Sequence, residues 1–205
     1  MARNRSFDEK DVLDRAMHAF RRHGYARLSI KQLEEATGLT SGSLYNAYGD
    51  KDGLFRAALA HYVDGFVVAR VKVHAGPAAT LEDLEELFLT LFRPPMTDGF
   101  GCLVSNSAME FGSTGSVADE NVRRALDLVD ASIRSVLTRE VGGEAAGPAA
   151  GRLSLIYQGI LLLSRAGRAG ADHEDAVRDE FARLRQARAQ YRAGGAGQND
   201  AEKET

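Results

Sequence analysis

A chain of 205 residues, 44% hydrophobic and with a formal net charge of -3, can bury a sizeable core, in one domain or in a small one plus a larger one. It holds no run of the ~18 apolar residues a membrane span needs, and no charged-then-apolar start points to export, so a cytoplasmic location is expected. The single cysteine, Cys102, excludes an intrachain disulfide and a cysteine-based zinc cluster, and His18, His23, His61, His74 and His173 lack ligand spacing, so neither metal nor cofactor is expected.

In chain order, Ser6 and Glu9 make a capping box for a first helix whose Val12, Leu13, Ala16, Met17 and Phe20 recur on one face until Gly24. Ser29 with Gln32 repeats the capping pattern ahead of Ile30, Leu33 and Ala36. Thr37-Gly38-Leu39 forms a turn in which Gly38 takes a positive φ and Leu39 pins the turn to the core. A second short helix starts near Thr40, with Ser41, Gly42, Ser43, Tyr45 and Asn46 outward and Leu44 and Tyr48 inward. A helix-turn-helix places such a second helix in the DNA major groove. Asp50 caps a longer connecting helix through Leu54, Phe55, Ala58, Leu59, Tyr62 and Phe66.

The remainder reads as helical, without a useful strand pattern. Thr80 caps LEDLEELFLTLFR, which Pro94-Pro95 stop. A loop leads to a short apolar helix, Cys102 to Phe111, and then to a longer one over residues 117–141 carrying Val122, Leu126, Val129, Ile133, Val136 and Leu137, ended by Gly142-Gly143. A helix from about Pro148 to Arg168 is apolar on more than one face, and a last one from Asp172 to about Tyr191 carries Val177, Phe181 and Leu184 in a stripe. The expected fold class is all-α: a three-helix helix-turn-helix domain over residues 1–49, a helical ligand-binding and dimerisation domain over 50–192, and a disordered tail over 193–205.

The run AFRRHGY, a Ser-started helix and GLTSGSLYNAYGDKDGLF together resemble the DNA-binding domain of TetR-type transcriptional regulators, over roughly residues 8 to 56. The resemblance implies that Ser29, Lys31, Thr40, Ser41, Gly42, Ser43, Tyr45 and Asn46 face the groove or its walls and that Lys51 meets phosphate at a helix start. Asn46 has the chemistry to pair bidentately with adenine. Arg3 and Arg5 either enter a minor groove or form a free basic tip. Two departures stand out: Ala47 replaces a phosphate-reaching side chain, and Gly53 sits in a first helical turn, where it is expected to loosen the connecting helix.

The family also implies a homodimer through the last two helices, an operator that is an inverted repeat of double-stranded DNA, and a small-molecule inducer held among body helices. The pocket candidates are Leu87, Leu91, Phe92, Met96, Phe100, Cys102, Asn106, Met109, Glu110, Val129, Ile133 and Tyr157. Asn106 and Glu110 lie four apart on one helical face and need partners if buried; a pocket and a water-facing helix end both supply them. The segment around Cys102 resembles the G-C-L-x-x-N-x-x-x-E pattern of one TetR branch, where the thiol is either a reactive sensor favoured by a helix dipole or a small packing residue.

Charge agrees with one end meeting a polyanion: residues 1–56 hold ten Lys/Arg against eight Asp/Glu, the rest 16 against 21. No G-x-S-x-G, Walker loop, H-E-x-x-H or G-x-G-x-x-G is present, so an enzyme is not expected. The alternative to a regulator is a helical ligand-binding or adaptor protein without specific DNA binding, which a salt-dependent shift assay separates.

Overall fold

The computed structural model describes residues 7–113 and 115–201, with side-chain surroundings through residue 193. The described residues contain helices and no strand. They fall into two compact units, Met1–Ala69 with Phe100–Leu126, and Arg70–Gly99 with Asp127–Thr205. The boundary expected at 49/50 is not where these units divide. Contacts cut elsewhere, because the connecting helix and residues 100–126 pack with the first three helices.

In the first unit α1 spans Glu9–His23. Its cap is Asp8, whose carboxylate accepts from the amides of Lys10 and Asp11, rather than the expected Ser6–Glu9 box; Ser6, like Arg3 and Arg5, lies outside the described residues. Asp8 wins because it is extended one residue before the helix, within reach of the unpaired amides of the first turn. The Ser29–Gln32 capping box forms at the start of α2, Ile30–Thr37. Gly38 takes φ 75° and returns its amide to the Glu34 carbonyl, turning the chain into α3, Ser41–Tyr48. Asp50 caps α4, Lys51–Tyr62. Helical bonding continues past the expected end at Phe66, as a π-helical segment Val63–Val68 followed by α5, Ala69–His74.

Helices of eight residues are marginal alone, so α2 and α3 stand only by packing. Their anchors Leu33 and Leu44 are buried with Phe20, Leu54, Phe55 and Leu59, and each such side chain contributes about 1.5–3 kcal/mol on burial. A short helix α7, Leu103–Phe111, completes the cluster: Phe111 lies 5.0 Å from Tyr25 and 5.4 Å from Phe55, ring to ring.

In the second unit Thr80 and Asp83 form a capping box on α6, Leu81–Leu89. That helix gives way to a 3-10 turn, Thr90–Phe92, before the prolines are reached. Helix α8, Asp119–Val141, starts in the first unit and ends in the second. Helix α9 spans Gly143–Arg165, so it begins ahead of Pro148 rather than at it. Pro148 is the sixth residue of the helix, where it removes one backbone donor and crowds the carbonyl four residues back, in the opening turns rather than mid-helix. Helix α10 spans Ala171–Ala201, past the expected end near Tyr191; side chains 194–201 and residues 202–205 lie outside the described residues, and with them most of the expected tail.

The core of this unit corrects one expectation. Val177, Phe181 and Leu184 do not wait for a second subunit: all three are buried, and the Phe181 ring packs edge-on 5.4 Å from Phe88, which meets Tyr157 at the same distance. The stripe of α10 is this unit's own core, laid against α6 and α9. Val73, Leu155, Leu162 and Tyr191 of this unit are exposed, and Leu155 and Leu162, at 77% and 52%, lie seven residues apart on one face of α9 with Gly159 between. Ion pairs bolt the rim: Arg188 bonds Glu82 at 2.8 Å and Glu140 at 2.8 Å, and Arg185 bonds Glu85 at 2.7 Å.

Candidate DNA-binding site

The start of α3 rests on two caps. Thr40 precedes α3 and its hydroxyl accepts from the Ser43 amide at 3.3 Å while donating to the Ser43 hydroxyl at 3.1 Å. The Glu34 carboxylate, one helix back, accepts from the Ser41 amide. Neither cap was read from the sequence as structure: Thr40 and Ser43 counted as DNA-facing, and Glu34 was missed because its partner lies seven residues away across the turn.

With the start of α3 held in this way, Gly42, Tyr45 and Asn46 share its outer face, and all three are exposed while Leu44 alone is fully buried. Tyr45, at 45% exposed, is free of the core. A Cβ on Gly42 would meet nothing within 4 Å, so the backbone itself is open to close approach. Ser29 and Lys31 are exposed at the start of α2, although the Ser29 hydroxyl is occupied by its capping box. Ala47 is half-buried and adds no polar reach.

Lys51 opens α4, and its ammonium sits 4.3 Å from the centroid of the Tyr25 ring, a cation–π contact. The Tyr25 hydroxyl donates to Asp52. Burial first, and then the bond to Asp52, push the Tyr25 hydroxyl up to about 12, so it stays a neutral donor. Tyr25 was not among the residues singled out; only the three-dimensional contact reveals it.

The twelve inducer candidates separate. Leu87, Leu91, Met96, Val129, Ile133 and Tyr157 are buried in the second unit, where Phe92 is half-buried. Phe100, Cys102, Asn106, Met109 and Glu110 belong to the first. Among these, Asn106 donates to the Phe100 carbonyl at 2.9 Å and to the Arg21 carbonyl at 3.4 Å, and Glu110 accepts from the Tyr25 and Ala26 amides at 2.9 and 2.7 Å. Those polar groups find partners within the protein. Phe100 lies under the Arg22 guanidinium at 4.5 Å, Met109 is 58% exposed, and Cys102 is buried beneath the Tyr62 hydroxyl, which donates to its Sγ at 3.5 Å.

Residues 12–58 match the family model of bacterial regulatory proteins, tetR family. The chain is 30% identical over 151 residues to the uncharacterized HTH-type transcriptional regulator YezE of Bacillus subtilis strain 168, covering 72% of this chain and 77% of that protein. Over 64 residues, 31% of this chain and 30% of the other, it is 45% identical to the HTH-type transcriptional repressor ComR of Escherichia coli K12. Its fold is similar to that of the TetR family transcriptional regulator CifR, solved as a cysteine mutant complexed with 26-base-pair double-strand operator DNA, at TM-score 0.60 and 30% identity, covering 91% of this chain and 98% of that one. An exposed recognition helix on an all-helical frame, with such relatives, defines a DNA-binding transcriptional regulator. The chain belongs to the tetR family of bacterial regulatory proteins.

Proposed function

We propose that this protein is a homodimeric repressor of the cytoplasm, not an enzyme, that binds an inverted-repeat operator through α3 and leaves it when a small molecule enters the second unit. The observation that carries the reading is the uncovered face of Gly42, Tyr45 and Asn46 on a doubly capped α3, with Lys51 opening the next helix. Direct base contact falls to Tyr45 and Asn46, backbone approach to Gly42, and phosphate to Lys51, Lys31 and Ser29. The relative CifR is seen on operator DNA, and ComR is a repressor, which favours the negative sign.

Two such faces require half-sites about one helical turn (~34 Å) or a multiple apart. The uncovered Leu155–Leu162 face of α9, with the exposed Tyr191 of α10, supplies the apolar surface two subunits would share. An inducer lodged among Leu87, Leu91, Met96, Val129, Ile133 and Tyr157 needs a differential affinity of only ~2–3 kcal/mol between free and DNA-bound states to shift operator binding by tens- to a hundredfold. The test starts from genomic fragments selected by the protein. On the selected duplex, Lys51→Ala should weaken binding to all sequences and flatten the salt slope by about one, whereas Asn46→Ala should relax preference at one base pair by about 1–3 kcal/mol. Selection that enriches no common sequence would favour the adaptor reading instead.

A further inference from the structure

Glu110 is 59 residues from Lys51 in sequence, yet the two meet through one side chain. The carboxylate of Glu110, near the end of α7, takes both amides of the turn that leaves α1: Tyr25 N at 2.9 Å and Ala26 N at 2.7 Å. The contact is close enough that a Cβ on Gly24 would stand 3.0 Å from Glu110 Oε2, so the turn carries glycine, at φ 79°, where the carboxylate comes in. The other end of α7 is tied to the same helix. Arg21 Nε donates to the Gly101 carbonyl at 2.6 Å, and Asn106 spans the Phe100 and Arg21 carbonyls. From the clamped backbone, the Tyr25 ring projects against Phe55 and Phe111 and receives the Lys51 ammonium on its face, while its hydroxyl bonds Asp52 in the first turn of α4.

We propose that Glu110 is a positioning residue for DNA binding, holding the turn at residues 24–26 so that the Tyr25 ring fixes Lys51 where α4 meets the phosphate backbone. This rests on the reading of Lys51 as a phosphate contact. Lysine carries about 2 kcal/mol of side-chain rotamer entropy, and an ammonium already parked on an aromatic face loses less of it on meeting DNA. The role has an unusual sign. Glu110 is an anion in the DNA-binding unit, and removing an anion strengthens attraction to a polyanion on electrostatic grounds alone. A positioning role predicts the reverse.

The experiment measures affinity and salt slope on the genomically selected duplex for wild type, Glu110→Ala, Glu110→Gln, Lys51→Ala and the Glu110→Ala/Lys51→Ala double variant. Glu110→Ala should bind about three- to tenfold more weakly. The double variant should be no weaker than Lys51→Ala, because both changes remove the same contact. Glu110→Gln, which keeps one oxygen acceptor for the turn but sets an N–H against the second amide, should fall between wild type and Glu110→Ala. Tighter or unchanged binding by Glu110→Ala, or a loss that simply adds to that of Lys51→Ala, overturns the proposal while leaving the Lys51 reading intact. An unchanged salt slope for Lys51→Ala overturns both. Should Glu110→Ala fail to fold, Glu110→Gln and its double variant with Lys51→Ala decide: a partial loss that disappears in the Lys51→Ala background upholds the positioning role, and unchanged or tighter binding, or a loss that adds to that of Lys51→Ala, overturns it.

Discussion

The carbonyl oxygen of Tyr48 lies where a side chain on Gly53 would have to go: a Cβ there would stand 1.9 Å from it. The end of α3 and the start of α4 therefore meet backbone to backbone, and the Gly53 amide closes the junction on the Asp50 carboxylate at 2.7 Å. Sequence reasoning treated Gly53 as a weakness of the connecting helix. The close approach makes it a requirement, because it sets how α3 joins α4.

Gly53→Ala weighs these effects against each other. Alanine gains about 1 kcal/mol of helix propensity, while forcing atoms into a packed site costs about 1–3 kcal/mol, and here the opposing atom is backbone that cannot rotate away. A net loss is expected, seen as a melting temperature several degrees below wild type, together with weaker operator binding. A variant that melts higher than wild type would show that the junction relaxes freely.

Placing glutamate at Phe181 and at Leu155 with Leu162 should give two different phenotypes. Phe181 is fully buried against Phe88, so Phe181→Glu leaves an unpaired buried charge and should unfold the second unit. The Leu155→Glu/Leu162→Glu variant keeps its own core and should remain helical, yet sediment as a monomer at micromolar concentration and lose operator affinity. A dimer that survives the double change would move the interface off α9.

Acid should weaken the rim of the second unit. The Arg188 guanidinium bonded to Glu82 holds that carboxyl at about 2, below its ordinary 4.5. A depressed folded value means that the stabilisation is complete above about 4.5 and is lost as pH falls toward 2. Because Glu82 is half exposed, the effect is about 1 kcal/mol or less. The gap between the urea midpoints of wild type and Glu82→Gln, measured at pH 6, should narrow as pH falls below about 4.5 toward 2; a constant gap would mean that the pair contributes nothing.

Cys102 should react slowly. Reactive thiols sit in electropositive, partly exposed surroundings, whereas this one is 7% exposed and covered by the Tyr62 hydroxyl. A thiol-specific chromogenic disulfide should label the native protein at least about tenfold more slowly than the urea-unfolded chain, as expected for a group reached only through local opening. Equal rates would restore the sensor reading.

Much of the helix capping was legible because its signals are local. The Ser29–Gln32 box, the positive φ at Gly38 and the Asp50 and Thr80 caps each link groups within four residues, and such geometry is written in residue type and spacing. The first cap was misassigned to Ser6 for the same local reason: Asp8 competes two residues later, and both fit the pattern. Period gave the helices of the body but not their owners. A buried stripe such as Val177, Phe181 and Leu184 looks alike whether it covers its own subunit or a partner, since periodicity records which face is apolar and nothing about what it meets.

By itself, the sequence determined the all-helical class, the helix-turn-helix register and the face of α3 that carries Tyr45 and Asn46, because propensity, capping and period act over a few residues. Only the tertiary structure decided that Gly53 yields to the Tyr48 carbonyl, that the α10 stripe is core, and that Glu110 reaches the Tyr25 and Ala26 amides from 85 and 84 residues away. Those contacts depend on how whole helices pack, and packing is set by the summed shape of side chains from distant segments rather than by the neighbours of any one residue.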